Sequence, residues 1–213
     1  MAVILVYRRQ AFGFQSLWRC IVFSLILALV GYAGAKILYI LENLKDTLHE
    51  GISLGGVSFF GSLWFIPVIM PIFGKLFGFS KKHTLDICAP CVAAMIGFMR
   101  IGCTMNGCCG AAPIHWGDTT VILPIQLLEV IADFLLMAYL LRGKPKYTGN
   151  GNGYPAMAAG YSTIRFFHEF LRDTPKVGGL FSRGHCWAII TFIIAFSYLV
   201  AYDSYATPKQ KTK

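Results

Sequence analysis

The chain has 213 residues, 56% of them hydrophobic and 14% charged, with a formal net charge of +9 at pH 7. Soluble domains carry about 25% charged residues, so this composition excludes an ordinary soluble fold and points to an all-α, polytopic membrane protein. The excess of Lys and Arg falls in the segments between apolar stretches, so no nucleic-acid partner is expected.

Met1 to Tyr7 is apolar and is followed by Arg8, Arg9 and Arg19, which reads as a basic cytoplasmic or interfacial segment over 1–19. No long apolar core precedes a small-residue cleavage site, so no cleavable leader is expected. A single transmembrane domain is expected over 20–203, followed by a basic tail over 204–213. Crossing a bilayer as a helix takes roughly 20 apolar residues. Stretches near that length predict about six transmembrane helices, over 20–41, 54–74, 84–101, 121–141, 153–171 and 185–203. The third and fifth are short and interrupted by Gly, Pro or polar residues, and they carry the polar motifs.

The basic residues alternate between the two sides of such a bundle. Lys75, Lys81, Lys82, Arg142, Lys144, Lys146, Lys209, Lys211 and Lys213 fall on the side of the N-terminal arginines. The other side has Lys45, Arg100, Arg172, Lys176 and Arg183. Positive charge collects on the cytoplasmic side, so both termini are expected there. Gly51 to Gly61 is glycine-rich where the chain re-enters the membrane, and Gly51 with Gly55 suits close helix packing. Gly143 to Gly153 reads as a flexible inner loop.

Cys88 and Cys91 share one helical face, and Cys108 and Cys109 are adjacent. A CxxC spacing permits redox or metal chemistry. In an apolar helix, small buried cysteines are the commoner occupants, and neither a metal nor a cofactor is expected.

Arg100 and Arg165 lie within otherwise apolar stretches. An arginine at membrane depth costs at least roughly 2.5–3.5 kcal/mol, so it normally faces a protein interior, a cavity or a ligand. Arg165, Glu169 and Arg172 fall at i, i+4 and i+7, one helical face, with His168 beside them. Gln126, Glu129 and Asp133 form a similar stripe after Leu123-Pro124. These acids either balance the two arginines or supply a proton acceptor. Gly102, Gly107 and Gly110 argue against a long regular helix beyond Arg100. Asn106 and the backbone N–H groups there could donate to phosphate oxygens as an anion-binding nest does. Together with the planar guanidinium fork, this suggests a site for lipid phosphate or another anion near the outer leaflet. His115 and His185 read as solvated histidines at the outer surface.

With these residues in view, the sequence resembles the prolipoprotein diacylglyceryl transferase family. Arg100, Gly102, Asn106 and Gly107 follow the family's Gly-Arg-x-Gly-Asn-Phe-x-Asn-Gly-Glu frame, with Cys103 replacing the first Asn and Cys108 the Glu. Gly55-Gly56-Val-Ser58-Phe59-Phe60-Gly61 resembles Gly-Gly-(Met/Leu)-Ser-Phe-His-Gly-Gly, and Gly34-Ala-Lys36-Ile-Leu-Tyr39 resembles Gly-x-Arg-x-x-Tyr. Pro124-Ile-Gln126-Leu-Leu-Glu129 resembles His-Pro-(Ser/Thr)-Gln-Leu-Tyr-Glu. Gly160-Tyr161 through Arg165 and Glu169 to Arg172 matches Gly-Tyr-Gly-x-x-Arg-x-x-x-Glu-x-x-Arg.

The resemblance implies a transferase of the bacterial inner membrane. Such an enzyme moves the diacylglyceryl group of phosphatidylglycerol to the lipobox cysteine thiol of a prolipoprotein and releases glycerol phosphate. Arg100 and Arg165 would bind the phosphate and stabilise the leaving group, while Gly102, Asn106, Gly107, Gln126, Glu129, Glu169 and Arg172 would shape the pocket. The family's membrane histidine corresponds to Phe60, and its His before Pro to Leu123. His168, Glu129, Glu169 and His115 are the groups that could take the proton instead. By the same resemblance, the family's first span is expected to be missing from this chain. Two other readings stay open: a non-catalytic binder of anionic phospholipid, and a membrane thiol protein using the cysteines.

Overall fold

The computed structural model describes residues 2–7, 10, 12–50, 56–108, 110, 114–116, 119–121, 124–142, 150–177 and 181–206. Gly51, Gly55, Cys109, Leu123, most of the 143–153 loop and the tail after 206 lie outside that set. Each of the six expected stretches is a long helix. They are α2 (Leu17–Glu42), α4 (Phe59–Leu76), α5 (Lys81–Met105), α6 (Ile125–Arg142), α7 (Gly153–Leu171) and α8 (Arg183–Ala206). Short helices α1 (Ala2–Tyr7) and α3 (Leu44–Glu50) complete the helical set among the described residues. Two antiparallel hairpins interrupt it: β1 (Ile114–Trp116) with β2 (Thr119–Val121), and β3 (Lys176–Val177) with β4 (Phe181–Ser182).

Four of these helices, α2, α4, α5 and α8, are long and apolar enough to cross a membrane. The other two, α6 and α7, have 18 and 19 residues and carry the buried acids and Arg165. Length does not set them apart: α6 carries Glu129, Asp133 and Arg142, and α7 is diluted by Gly, Pro and polar residues as well as Arg165 and Glu169.

The chain folds as two compact units. The first comprises Met1–Cys88 with Gly149–Gly151. Its centre is the contact of α2 with α4 at Gly34 and Gly61. A Cβ on Gly61 would overlap the carbonyl oxygen of Gly34, and one on Gly34 would lie 2.7 Å from that of Gly61. Glycine at both positions lets the backbones approach closely. Ser62 seals the contact by donating its hydroxyl to the Gly31 carbonyl at 2.6 Å. Phe14, Phe23, Phe77 and Phe79 form a cluster, edge to face except for the stacked Phe77 and Phe79, with ring centroids 4.9–6.5 Å apart. The end of the 143–153 loop is held in place, because the Gly151 N–H donates to the buried Asp86 carboxylate at 2.9 Å.

The second unit comprises Ala89–Thr148 and Asn152–Lys213. Here α7 packs on both α6 and α8. On α8, Ala188, Thr191 and Ala195 are buried, while Ile189, Ile193, Phe196 and Val200 are exposed. That division gives α8 one packed face and one exposed apolar face. Contacts that advance along α6 while receding along α7, from Glu129–Arg165 to Leu136–Gly160, make the two helices antiparallel.

Candidate functional site

Arg100 sits inside α5, not at its end. The helix continues to Met105, so the glycine at 102 did not stop it. It ends instead at Gly107, which has φ +63°. The N–H of Gly107 returns to the Thr104 carbonyl at 3.3 Å, and that of Cys108 to the Cys103 carbonyl at 3.1 Å. This is the Schellman pattern, in which a glycine in the left-handed region closes the last turn. The Asn106 N–H bonds Gly102 at 3.0 Å. These N–H groups point back into the helix, which corrects the expectation that they face outward as an anion nest. Asn106 and Gly107 are exposed at this helix end, and Gly102 has open space around it.

The polar faces of α6 and α7 meet in a chain of ion pairs. Glu129 stands between the two arginines. Its Oε2 lies 3.0 Å from Arg100 Nε, and its Oε1 accepts from Arg165 Nη1 at 2.9 Å. Arg165 Nη2 reaches Glu169 Oε2 at 2.6 Å. The Arg165–Glu129 arm is aligned as a hydrogen bond, and the other two are close charge contacts. All four side chains are largely buried, with Arg165 the most accessible at 12%. Arg172 follows the end of α7, is also buried, and acts electrostatically on Glu169. Two buried guanidinium groups, Arg100 and Arg172, and the part-buried Arg165 thus gather with three buried carboxylates, Glu129, Asp133 and Glu169. Removing charge from water is costly unless it is paired, so the cluster is nearly self-neutral.

Asp133 lies one turn beyond Glu129 and is 1% exposed. Among the described residues, neither of its oxygens has a hydrogen-bond partner. The buried Tyr161 feels the charges of Arg165, Arg100, Asp133 and Glu129 together. Gln126, on the same face of α6, donates to the Cys108 carbonyl at 3.2 Å. With the Asp173 N–H bonding the Gly110 carbonyl at 3.3 Å, it anchors the chain that follows α5.

The other oxygen of Glu169 points to residues not singled out in the sequence. Oε1 accepts from Ser182 Oγ at 2.6 Å and from Thr174 Oγ1 at 3.2 Å. Ser182 also contacts His185 Nδ1. His185 is fully buried, which corrects its placement at the outer surface. Phe166, Phe170 and Phe181 enclose its ring at 5.3, 4.4 and 5.4 Å between centroids. An N-cap signal was legible here, a serine just before the apolar run of α8. The link to Glu169 was not, because no spacing rule connects the start of one helix to the end of another.

Of the expected proton acceptors, Glu129 and Glu169 are engaged with arginines. His168 places Nδ1 2.8 Å from the Ile164 carbonyl of its own helix. His115 is in β1, with its side chain outside the described set. Cys88 and Cys91 are buried within α5, and Cys108 is exposed.

In the first unit the two glycine-bearing motif segments meet. The Ser58 N–H bonds the Ala35 carbonyl at 3.0 Å, and Lys36 Nζ donates to the Gly56 carbonyl at 3.3 Å. Lys36 also sits 5.3 Å from the centroid of the Tyr39 ring. Gly56 has φ +44°, and a Cβ there would overlap that ring. Phe60 is buried at the start of α4.

A groove of about 250 Å³ runs between α7 and α8, lined by Ser162, Thr163, Phe166, Ala188, Ile189 and Phe192. Its α7 residues bracket Arg165 along the chain.

A family model described as prolipoprotein diacylglyceryl transferase matches residues 1–201. A phosphatidylglycerol–prolipoprotein diacylglyceryl transferase of Clostridium tetani is 27% identical over 181 residues, covering 77% of this chain and 73% of the relative. Enzyme 2 of that name from Clostridium perfringens is 27% identical over 188 residues, with 80% and 73% covered. The Methylobacillus flagellatus enzyme of the same name is 28% identical over 186 residues, with 80% and 70% covered. No solved structure matches the chain.

Proposed function

Because this chain belongs to the prolipoprotein diacylglyceryl transferase family, we propose that it moves the diacylglyceryl group of phosphatidylglycerol to a lipobox cysteine thiol. In that reaction the substrate's sulfur attacks the glycerol carbon that carries the phosphate. The carbon–oxygen bond to phosphate breaks, glycerol phosphate leaves with both electrons of that bond, and the thiol proton passes to a base or to solvent. The family's membrane histidine is Phe60 here, and a phenyl ring cannot take that proton.

The observation that carries the reading is the convergence of Arg100 and Arg165 on Glu129. Two guanidinium groups are brought to one place by elements far apart in sequence. The phosphate gains negative charge as it leaves, and fixed cations in a dry site stabilise charge where it develops. Glu129 and Glu169 keep the arginines oriented before lipid arrives. The groove between α7 and α8 has an apolar lining suited to an acyl chain.

We place the protein in the bacterial inner membrane with six spans, α6 and α7 joining the four more apolar helices. Both termini are then cytoplasmic, and the arginine cluster serves lipid of the outer leaflet. Gly102, Asn106, Gly107, Gln126 and Arg172 form the surroundings of the site in this reading. The test is transfer by purified protein from phosphatidylglycerol vesicles to a lipobox peptide, read as thioether lipid on the peptide. Transfer by wild type that Arg100→Ala abolishes supports the proposal. Saturable binding of phosphatidylglycerol without transfer, where a family enzyme is active, replaces it with a lipid-binding role.

A further inference from the structure

Glu169 Oε2 meets Arg165 while Oε1 meets Ser182, and we propose that Ser182, backed by His185 and the first turn of α8, is a positioning residue of the transfer reaction. The inference rests on the transferase reading above. It concerns which groups aim Arg165.

The hydroxyl of Ser182 has one hydrogen and two acceptors in reach. The Glu169 carboxylate is 2.6 Å away and the His185 imidazole 3.2 Å. The nearer, charged acceptor takes the hydrogen, in keeping with the short length of charge-assisted O–H···O bonds. Meanwhile His185 Nδ1 accepts the backbone N–H of Ser182 at 3.1 Å. That assigns the ring hydrogen to Nε2 and makes the imidazole a fixed acceptor that holds the Ser182 backbone. From the other side, the Gly184 N–H donates to Ser182 Oγ at 3.1 Å, as in a helix N-cap.

Gly184 also fixes the position of the carboxylate sterically. A Cβ at that residue would lie 2.6 Å from both Cδ and Oε1 of Glu169. The start of α8 therefore closes on the carboxylate, with a hydroxyl donor and a bare glycine facing it. Orientation passes from Ser182 to Glu169, from Glu169 to Arg165, and from Arg165 through Glu129 to Arg100. Outer groups that orient functional residues in this way commonly matter tenfold or more in activity. Ser182 touches no reacting atom in this scheme. It removes the freedom of the carboxylate that aims a phosphate-binding arginine.

The full-length protein in micelles, phosphatidylglycerol vesicles and a lipobox peptide provide the test. Ser182→Ala and the near-isosteric Ser182→Cys should each lower kcat about tenfold or more. The KM for phosphatidylglycerol should stay near that of wild type, while loss of the N-cap lowers the thermal midpoint modestly and by less than the fall in kcat implies. Ser182→Thr should restore kcat. His185→Asn, whose amide oxygen can take the place of Nδ1, should keep more activity than His185→Leu. A folded Ser182→Cys protein with wild-type kcat overturns the proposal. So does loss of activity in strict proportion to loss of thermal stability across the Ser182 variants.

A second measurement is independent of turnover. Nitrogen-15 spectra of labelled arginine should show hindered rotation of the Arg165 guanidinium in wild type and measurably faster rotation in Ser182→Ala and Ser182→Cys. Unchanged Arg165 signals overturn the positioning role. Absence of transfer by the wild-type protein, with the spectral change present, overturns the transferase reading and leaves the alignment intact.

Discussion

Arg165 donates to Glu129 at 2.9 Å across the α6–α7 contact, and this bond pairs the polar faces of the two helices. Because the helices are antiparallel, pairing 129 with 165 sets 133 opposite 161. Asp133 and Tyr161, both buried, therefore share one level of the second unit.

Glu129 is the member of the cluster whose loss should cost most. It faces two guanidinium groups, so Glu129→Gln leaves both with less compensation inside the protein. Breaking a buried pair by removing one partner costs about 3–5 kcal/mol. The expected result is a large fall in thermal midpoint together with loss of transfer. Asp133→Asn should cost less, since no hydrogen bond to its carboxylate exists among the described residues. Thermal melts of both variants in one detergent rank them, and an Asp133→Asn midpoint below that of Glu129→Gln would contradict the ordering.

Arg165 should not tolerate lysine. Its two terminal nitrogens reach different carboxylates, Glu129 and Glu169, which one ammonium group cannot span with the same geometry. Arg165→Lys is expected to keep the charge and lose most of the transfer rate, by about 100-fold or more, as for removal of a transition-state donor. A lysine variant within a factor of a few of wild type would show that charge alone suffices.

The two motif glycines near Arg100 should behave differently. Gly102 is helical with nothing within 4 Å of an added Cβ, so Gly102→Ala should leave stability unchanged or raise it by up to about 1 kcal/mol. Gly107 has φ +63°, and Gly107→Ala should lower stability by about 1–2 kcal/mol through backbone strain. If Gly102→Ala abolishes transfer with its melting curve unchanged, the open space at 102 is needed by substrate.

Packing of the first unit depends on the α2–α4 crossing. Gly61→Ala introduces a Cβ that overlaps the backbone oxygen of Gly34, which cannot rotate away. Overpacking of this kind costs about 1–3 kcal/mol. The variant should melt earlier than wild type, whereas Gly78→Ala, with open space but φ +81°, tests backbone strain without a clash.

Much of this molecule was legible in one dimension. Apolar runs between basic segments located the six long helices to within a few residues, because a bilayer demands a fixed helix length and satisfied backbone. Helical periodicity placed Gln126, Glu129 and Asp133 on one face, and Arg165 with Glu169 on another. The motif frame around Arg100, joined to the Gly-Tyr segment of α7, pointed to the family.

Tertiary structure decided the rest, since it depends on contacts between distant segments. No long helix runs beyond Arg100, as the glycines there led one to expect, but α5 passes Gly102 and ends at Met105 because a single glycine costs a helix only about 1 kcal/mol, which packing can offset. His185 read as a solvated histidine at the outer surface, but three phenylalanines enclose it. Above all, sequence supplied two arginines and several acids without saying which would meet. Charges buried together must be matched pair by pair, and only the folded α5, α6 and α7 could set Glu129 between Arg100 and Arg165.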